Sequence, residues 1–258
     1  MAMLLLLPRH AETADPFPYE LATGQEAVLA LTGGGLLGLG AVLDSRVESL
    51  TPAAIAALDE NAGFWFDRSA RHRWSLAADH ISDYLMYATA ASPLFLLATK
   101  SGGREPWTIL VMYGQAQLIN NGVTYLLKSL VARPRPFVTG DDPRIPLELK
   151  LRKEALRSFP SGHTSNTFTA AVFLGSLFEQ LEPESAVRGW VWGGALTAAS
   201  LTGILRYVAG RHYPTDILAG ALLGATVGYL VPQIHQRDTR AEPSAAPRGF
   251  RLMWSFGF

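Results

Sequence analysis

The stretch PTDILAGALLGATVGYLV, residues 214–231, decides the fold. It opens on Pro214, which is tolerated at the first position of a helix. Its only charge, Asp216, falls in the first turn, where the helix dipole favours a carboxylate. The rest is predominantly apolar. A helix that crosses a bilayer needs about 20 such residues, within a range of roughly 17 to 25, and this segment fits. Upstream lie five more segments of the same kind: Trp190–Tyr207, Ser161–Leu181, Trp107–Leu130, Tyr84–Thr99 (short and broken by Pro93) and Ala27–Leu43. The first is rich in glycine (Gly33, Gly34, Gly35, Gly38, Gly40), which lets neighbouring membrane helices approach closely. The third carries Gln115, Gln117, Asn120 and Asn121, so it is expected to face protein rather than lipid.

The sequence therefore predicts an all-α protein, a six-helix transmembrane bundle with additional short interfacial helices. The latter are expected between Ser45 and Asp83, over Thr51–Leu58 and Phe64–Trp74, with Trp65 and Trp74 suited to the membrane interface. Three regions follow: residues 1–26 as an interfacial or disordered leader, 27–231 as the membrane domain, and 232–258 as a polar tail ending in an aromatic segment. Met1–Leu7 is apolar but too short to span, no Lys or Arg precedes it, and no small-residue cleavage site follows, against a signal peptide. In the tail, Phe250, Leu252, Trp254, Phe256 and Phe258 alternate with Arg251, Met253, Ser255 and Gly257, a strand-like period. One strand cannot satisfy its backbone in lipid, so an aromatic anchor is the expectation.

Composition agrees. Charged residues are 17% of the 258, below the roughly 25% of a soluble domain, and mean hydropathy is +0.15. Lys+Arg and Asp+Glu balance at 22 each, which argues against nucleic-acid binding through bulk positive charge. The absence of cysteine excludes disulfides and thiolate metal sites.

Three polar clusters interrupt the apolar pattern: Lys128 and Arg135-Pro136 after the third span, Pro160-Ser161-Gly162-His163 opening the fourth, and Arg206, His212 and Asp216 between the fifth and sixth. Odd spans end, and even spans begin, on one face, so all three clusters can meet there. Arg offers a planar fork to phosphate oxygens and Lys a compact point charge. The start of span four adds free N–H groups, and Gly162 admits an anion to the backbone. Lys128, Arg135 and Arg206 show too few acids nearby to be neutralised internally. Asp216 is placed to orient one imidazole nitrogen of His212, leaving the other as base or nucleophile, with His163 opposite as general acid. The pocket is built for an oxyanion, and phosphate fits best.

These motifs resemble the three-part signature of the type 2 phosphatidic acid phosphatase superfamily, over roughly Tyr84 to Val231. One departure is Leu205, where the family usually has Ser before the arginine. The resemblance implies a phosphohistidine mechanism with His212 as nucleophile, Asp216 as its partner and His163 protonating the leaving group. Lys128, Arg135, Ser161, Gly162 and Arg206 would bind the phosphoryl oxygens, with no metal and no cofactor. It implies an integral-membrane phosphatase whose partners are the bilayer and a lipid phosphate or pyrophosphate, which the sequence does not single out. The alternatives are vanadate-dependent halide oxidation in the same anion cradle, or phospholipid binding without hydrolysis. The expected location is the bacterial inner membrane, multi-pass. Of the Lys+Arg residues, 14 lie on the site's face and 8 on the other, which by the positive-inside rule points to the cytoplasm. Setting aside Lys128, Arg135 and Arg206 as functional leaves 11 against 8, and the resemblance implies an extracytoplasmic site, which is the expectation adopted. The loop Phe137–Phe159, with Arg144, Lys150, Arg152, Lys153 and Arg157, is expected to form either a basic lid near the pocket or a solvated amphipathic helix. Nothing in the sequence fixes an oligomeric state.

Overall fold

The structure, a computed structural model, describes residues 16–59 and 63–237. Among them the elements are helical, in the order α1 Thr23–Asp44, α2 Pro52–Ala56, α3 Leu76–Ala91, α4 Pro106–Val131, α5 Leu147–Lys150, α6 Gly162–Leu181, α7 Arg188–Val208 and α8 Pro214–Ile234, joined by short 3-10 turns. Pro106 and Pro214 start α4 and α8, and the Ser75 hydroxyl caps α3 by accepting the Ala78 amide at 3.2 Å. Pro93 ends α3, and the chain continues as a 3-10 helix to Ala98. α4 stops where Ala132 turns left-handed, at φ 43°.

Three helices are long and apolar enough to cross a membrane by themselves: Thr23–Asp44, Leu76–Ala98 and Pro214–Ile234. α4, α6 and α7 have the length but not the hydropathy, because they carry the polar side chains of the interior. Several of those side chains pair with one another. Asn120 donates to Asn166 at 2.7 Å and Asn166 to Asn121 at 3.2 Å, so the amides of α4 do face protein.

α6 is the hub, packed on by α3, α4, α7 and α8. Glycine sets the tightest contacts. A Cβ on Gly220 would lie 2.5 Å from the Ser161 carbonyl, one on Gly228 equally close to that of Thr169, and one on Gly224 would meet that of Ser165. α8 is thus seated backbone to backbone along α6. α1 docks on α4 similarly, with Gly33 against Leu118 and Gly40 against Leu126.

The structure adjusts several of these expectations. The second span was placed at Tyr84, but α3 starts at Leu76, which brings Asp79 and Asp83 onto the helix. The leader boundary at 26 falls inside α1, and α8 runs beyond 231. The segment before α1 is packed, with Phe17 and Tyr19 buried in the main core and Tyr19 bridged to Gln236. Residues 1–15 and the aromatic alternation of Phe250–Phe258 lie outside the described residues. The loop expected as a basic lid or a solvated helix is a pinned cap: Phe137, Val138, Ile145 and Ala155 form a second small core. Of its cations, Arg157 donates to Asp44 at 2.6 Å, Lys153 pairs with it at 3.1 Å, and Lys150 donates to the Gly140 carbonyl at 2.9 Å. Trp74, expected at the interface, packs against Phe137 in the same cap.

Candidate active site

The end of α4, the start of α6, the end of α7 and the start of α8 meet at one end of the bundle. The Ser161 amide donates to the Asp216 carbonyl at 2.9 Å, joining the first turns of α6 and α8 directly. Lys128, in the last turn of α4, donates Nζ to the carbonyls of Arg157 and Pro160 at 2.8 and 2.7 Å. Its side chain passes beside Gly162, where an added Cβ would stand 3.7 Å from Lys128 Cε. Ser161 is fully buried and caps α6, its Oγ 2.9 Å from the Thr164 hydroxyl. Arg135 is fixed by the Glu154 carbonyl at 3.0 Å. Burial, then the charges of Arg206 and Arg211, push it below the ordinary arginine value.

Arg206 is 4% exposed, and here the sequence reading is corrected. It is not left unneutralised: Nη1 lies 2.7 Å from Asp79 and 3.4 Å from Asp83, and Arg211 also pairs with Asp79. These acids are more than 120 positions away in sequence, so no local spacing pairs them with the arginine. Nε of Arg206 is buried and has no partner among the described residues.

His212 is buried in the α7–α8 connection. Its Nδ1 lies 2.8 Å from the Ser158 carbonyl and 3.6 Å from Asp216 Oδ2. A carbonyl only accepts, so Nδ1 carries the proton and Nε2 keeps its lone pair. The expected Asp216–His212 hydrogen bond is therefore replaced by one to the backbone. Asp216 is held instead by Ser158 Oγ at 2.6 Å, the Tyr213 amide at 2.9 Å and Arg133 at 2.6 Å. Burial first, then Arg135, Lys128 and Arg206, hold the His212 imidazole well below its usual range. His163, in the first turn of α6, meets Asp83 at 2.7 Å.

The structure thus brings together all eight residues singled out in the sequence, and adds Arg133, Ser158, Asp67, Asp79 and Asp83. The sequence reading singles out none of these five, whose partners are distant in the chain. No group of three or more His, Asp or Glu side chains able to hold a metal ion occurs among the described residues. A cationic, partly desolvated cradle with one lone-pair imidazole inside and a second imidazole at its rim can bind an oxyanion, attack it and protonate what leaves.

Comparison with known proteins fits this geometry. The model of the PAP2 superfamily matches residues 105–240. The chain is 40% identical to a lipid A 1-phosphatase of Porphyromonas gingivalis over 30% of its own length and 16% of that protein's. It is 30% identical to a probable diacylglycerol pyrophosphate phosphatase of Schizosaccharomyces pombe, over 47% of this chain and 58% of that one. It therefore spans less than two thirds of either relative. Among solved structures, a transmembrane PAP2-type phosphatidylglycerolphosphate phosphatase from Bacillus subtilis superimposes with a TM-score of 0.50 at 23% identity, over 83% of this chain and 99% of that one.

Proposed function

The chain belongs to the PAP2 superfamily, and on that premise we propose that it is an integral-membrane phosphatase acting on phosphate monoesters or pyrophosphates of lipids, without a metal, through a phosphohistidine. The observation that carries this reading is the His212 environment: a buried imidazole with its proton fixed on Nδ1, surrounded by Lys128, Arg135 and Arg206.

The cations, with the Gly162 amide and the orphaned Nε of Arg206, hold the phosphoryl oxygens and stabilise the charge that spreads over them in the transition state. The Nε2 lone pair of His212 forms a bond to phosphorus while the bond to the leaving oxygen breaks, and His163 gives that oxygen a proton. Water then attacks the phosphohistidine, the P–N bond breaks, phosphate leaves, and His163 takes the proton from the water. Ser161 supports the cradle through its cap of α6.

All six long helices cross the bilayer in this reading. The polar faces of α4, α6 and α7 turn inward on one another, and the site opens at the extracytoplasmic face of a bacterial inner membrane. A substrate whose phosphate lies in the head-group layer reaches such a site without leaving the bilayer. The test is phosphate release from a detergent-solubilised panel of lipid phosphates and pyrophosphates, with His212→Ala as control. Release by the wild type alone supports the reading, and equal release by the variant overturns it.

A further inference from the structure

Asp216 is fully buried and lies 3.6 Å from His212 Nδ1, too far for a hydrogen bond. A buried carboxylate in that position requires a counter-charge, and Arg133 supplies it. Its Nη1 donates to Asp216 Oδ1 at 2.6 Å and to Thr215 Oγ1 at 2.8 Å, and its Nη2 donates to Asp67 Oδ2 at 2.9 Å. The guanidinium lies over the Tyr213 ring, 3.9 Å from the centroid. Asp67 is itself buried and fixed, accepting the Thr215 amide at 3.0 Å and its hydroxyl at 2.6 Å. The backbone of Arg133 reaches the nucleophile by a second route. Its carbonyl accepts the Ser158 amide at 3.0 Å, while the Ser158 carbonyl receives His212 Nδ1 and the Ser158 hydroxyl holds Asp216. Both terminal nitrogens of Arg133 are engaged by carboxylates, so its fork is not directed to a phosphoryl group.

We propose that Arg133 is a positioning residue for phosphoryl transfer: anchored on Asp67, it fixes Asp216 and Ser158 and through them the attacking direction of His212. This rests on the phosphatase reading above. Loss of the guanidinium leaves Asp216 as an uncompensated buried charge, and the carboxylate then moves or takes a proton. Arg133 also lines a cavity of about 210 Å³, with Arg68, Arg71, Thr139 and Tyr213, which gives small solutes access to the place its side chain occupies.

The full chain in detergent, with a short-chain phosphatidic acid as probe, tests this. Arg133→Ala is expected to lower kcat about 30-fold with KM within about threefold, the range seen when a partner behind a functional ligand is removed. Guanidinium at tens of millimolar should restore kcat about 10-fold, while urea, uncharged and of similar shape, should not. A raised KM with unchanged kcat would make Arg133 a direct phosphate ligand and overturn the proposal, as would rescue by urea or no rescue by guanidinium. Should Arg133→Ala fail to fold, Arg133→Lys decides: a point charge cannot bridge both carboxylates, so kcat should fall several-fold at constant KM, and wild-type kcat overturns the proposal. Inactivity of the wild type on every member of the lipid phosphate and pyrophosphate panel sinks the phosphatase reading, whereas a wild type active on any one of them and matched there by an equally active Arg133→Ala sinks this inference alone.

Discussion

The two histidines of the site are held in opposite ways. His212 has a side chain 2% exposed, donates to a backbone carbonyl and stands beside a carboxylate fixed from three directions. His163 has a side chain 25% exposed, and its partner Asp83 is 42% exposed on a different helix. One imidazole is fixed by main chain inside the protein; the other is held by a side chain that water and ligand can reach. The difference matches the two tasks that the proposed mechanism assigns to them. Attack on phosphorus demands one direction, and effective molarity falls steeply with misalignment. Protonation of a departing oxygen must follow leaving groups of different shape.

Substitutions can break or sharpen this contrast. The largest effect belongs to His212→Ala, expected to remove at least about 10⁴-fold of phosphate release, as loss of a nucleophile does elsewhere. Asp216→Asn should lower kcat about 100-fold with little change in KM, since it removes charge next to the rigid imidazole and no contact to substrate; steady-state kinetics on one lipid phosphate checks it. Asp83→Asn, on the open side, should cost only about 10-fold, and most with the poorest leaving groups, where general acid matters most. An Asp83→Asn loss as large as that of Asp216→Asn, and equal for all leaving groups, would erase the distinction.

The pH profile sharpens it further. His212 is held neutral by burial and its cationic neighbours, so its acid limb in kcat/KM should lie below the ordinary imidazole value of about 6.5. Stability follows the same sign. The unfolded chain takes up that proton at its ordinary pKa and the folded chain does not, so stability is full above that value and declines as pH falls below it. Thermal melts in detergent across pH 5 to 8 would show the decline. The smallest effect is expected from neutralising Lys150, Arg152 and Lys153 together. Lys150 and Lys153 are spent on Gly140 and Asp44, so substrate ranking should hold while the melting temperature drops by a few degrees, for a loss of about 1 kcal/mol.

The sequence revealed the side of the site that is written in local spacing. His212 and Asp216 are four apart around Pro214, and span parity brings Lys128, Arg135, His163 and Arg206 to the same face. It did not reveal Asp67, Asp79 and Asp83, since a carboxylate in a polar stretch carries no mark of which distant cation it meets. The same blindness misplaced the start of α3: two acids four apart stay outside an apolar span until Arg206, Arg211 and His163 meet them on the helix. The substitution of a carbonyl for Asp216 on Nδ1 was also hidden, because backbone acceptors have no residue code.

The glycine contacts between α8 and α6 have a consequence for synthesis. Translation runs from the N-terminus, so α6 is made before α8, with the carbonyls of Ser161, Ser165 and Thr169 not yet packed against. They stay so until Gly220, Gly224 and Gly228 arrive and seat against them. That docking delivers the Asp216 carbonyl to the Ser161 amide. A chain paused before α8 would hold Lys128, Arg135 and Arg206 but lack Asp216, and His212 would have no carboxylate beside it. Under the proposed mechanism, phosphoryl transfer therefore begins only once α8 has docked on α6.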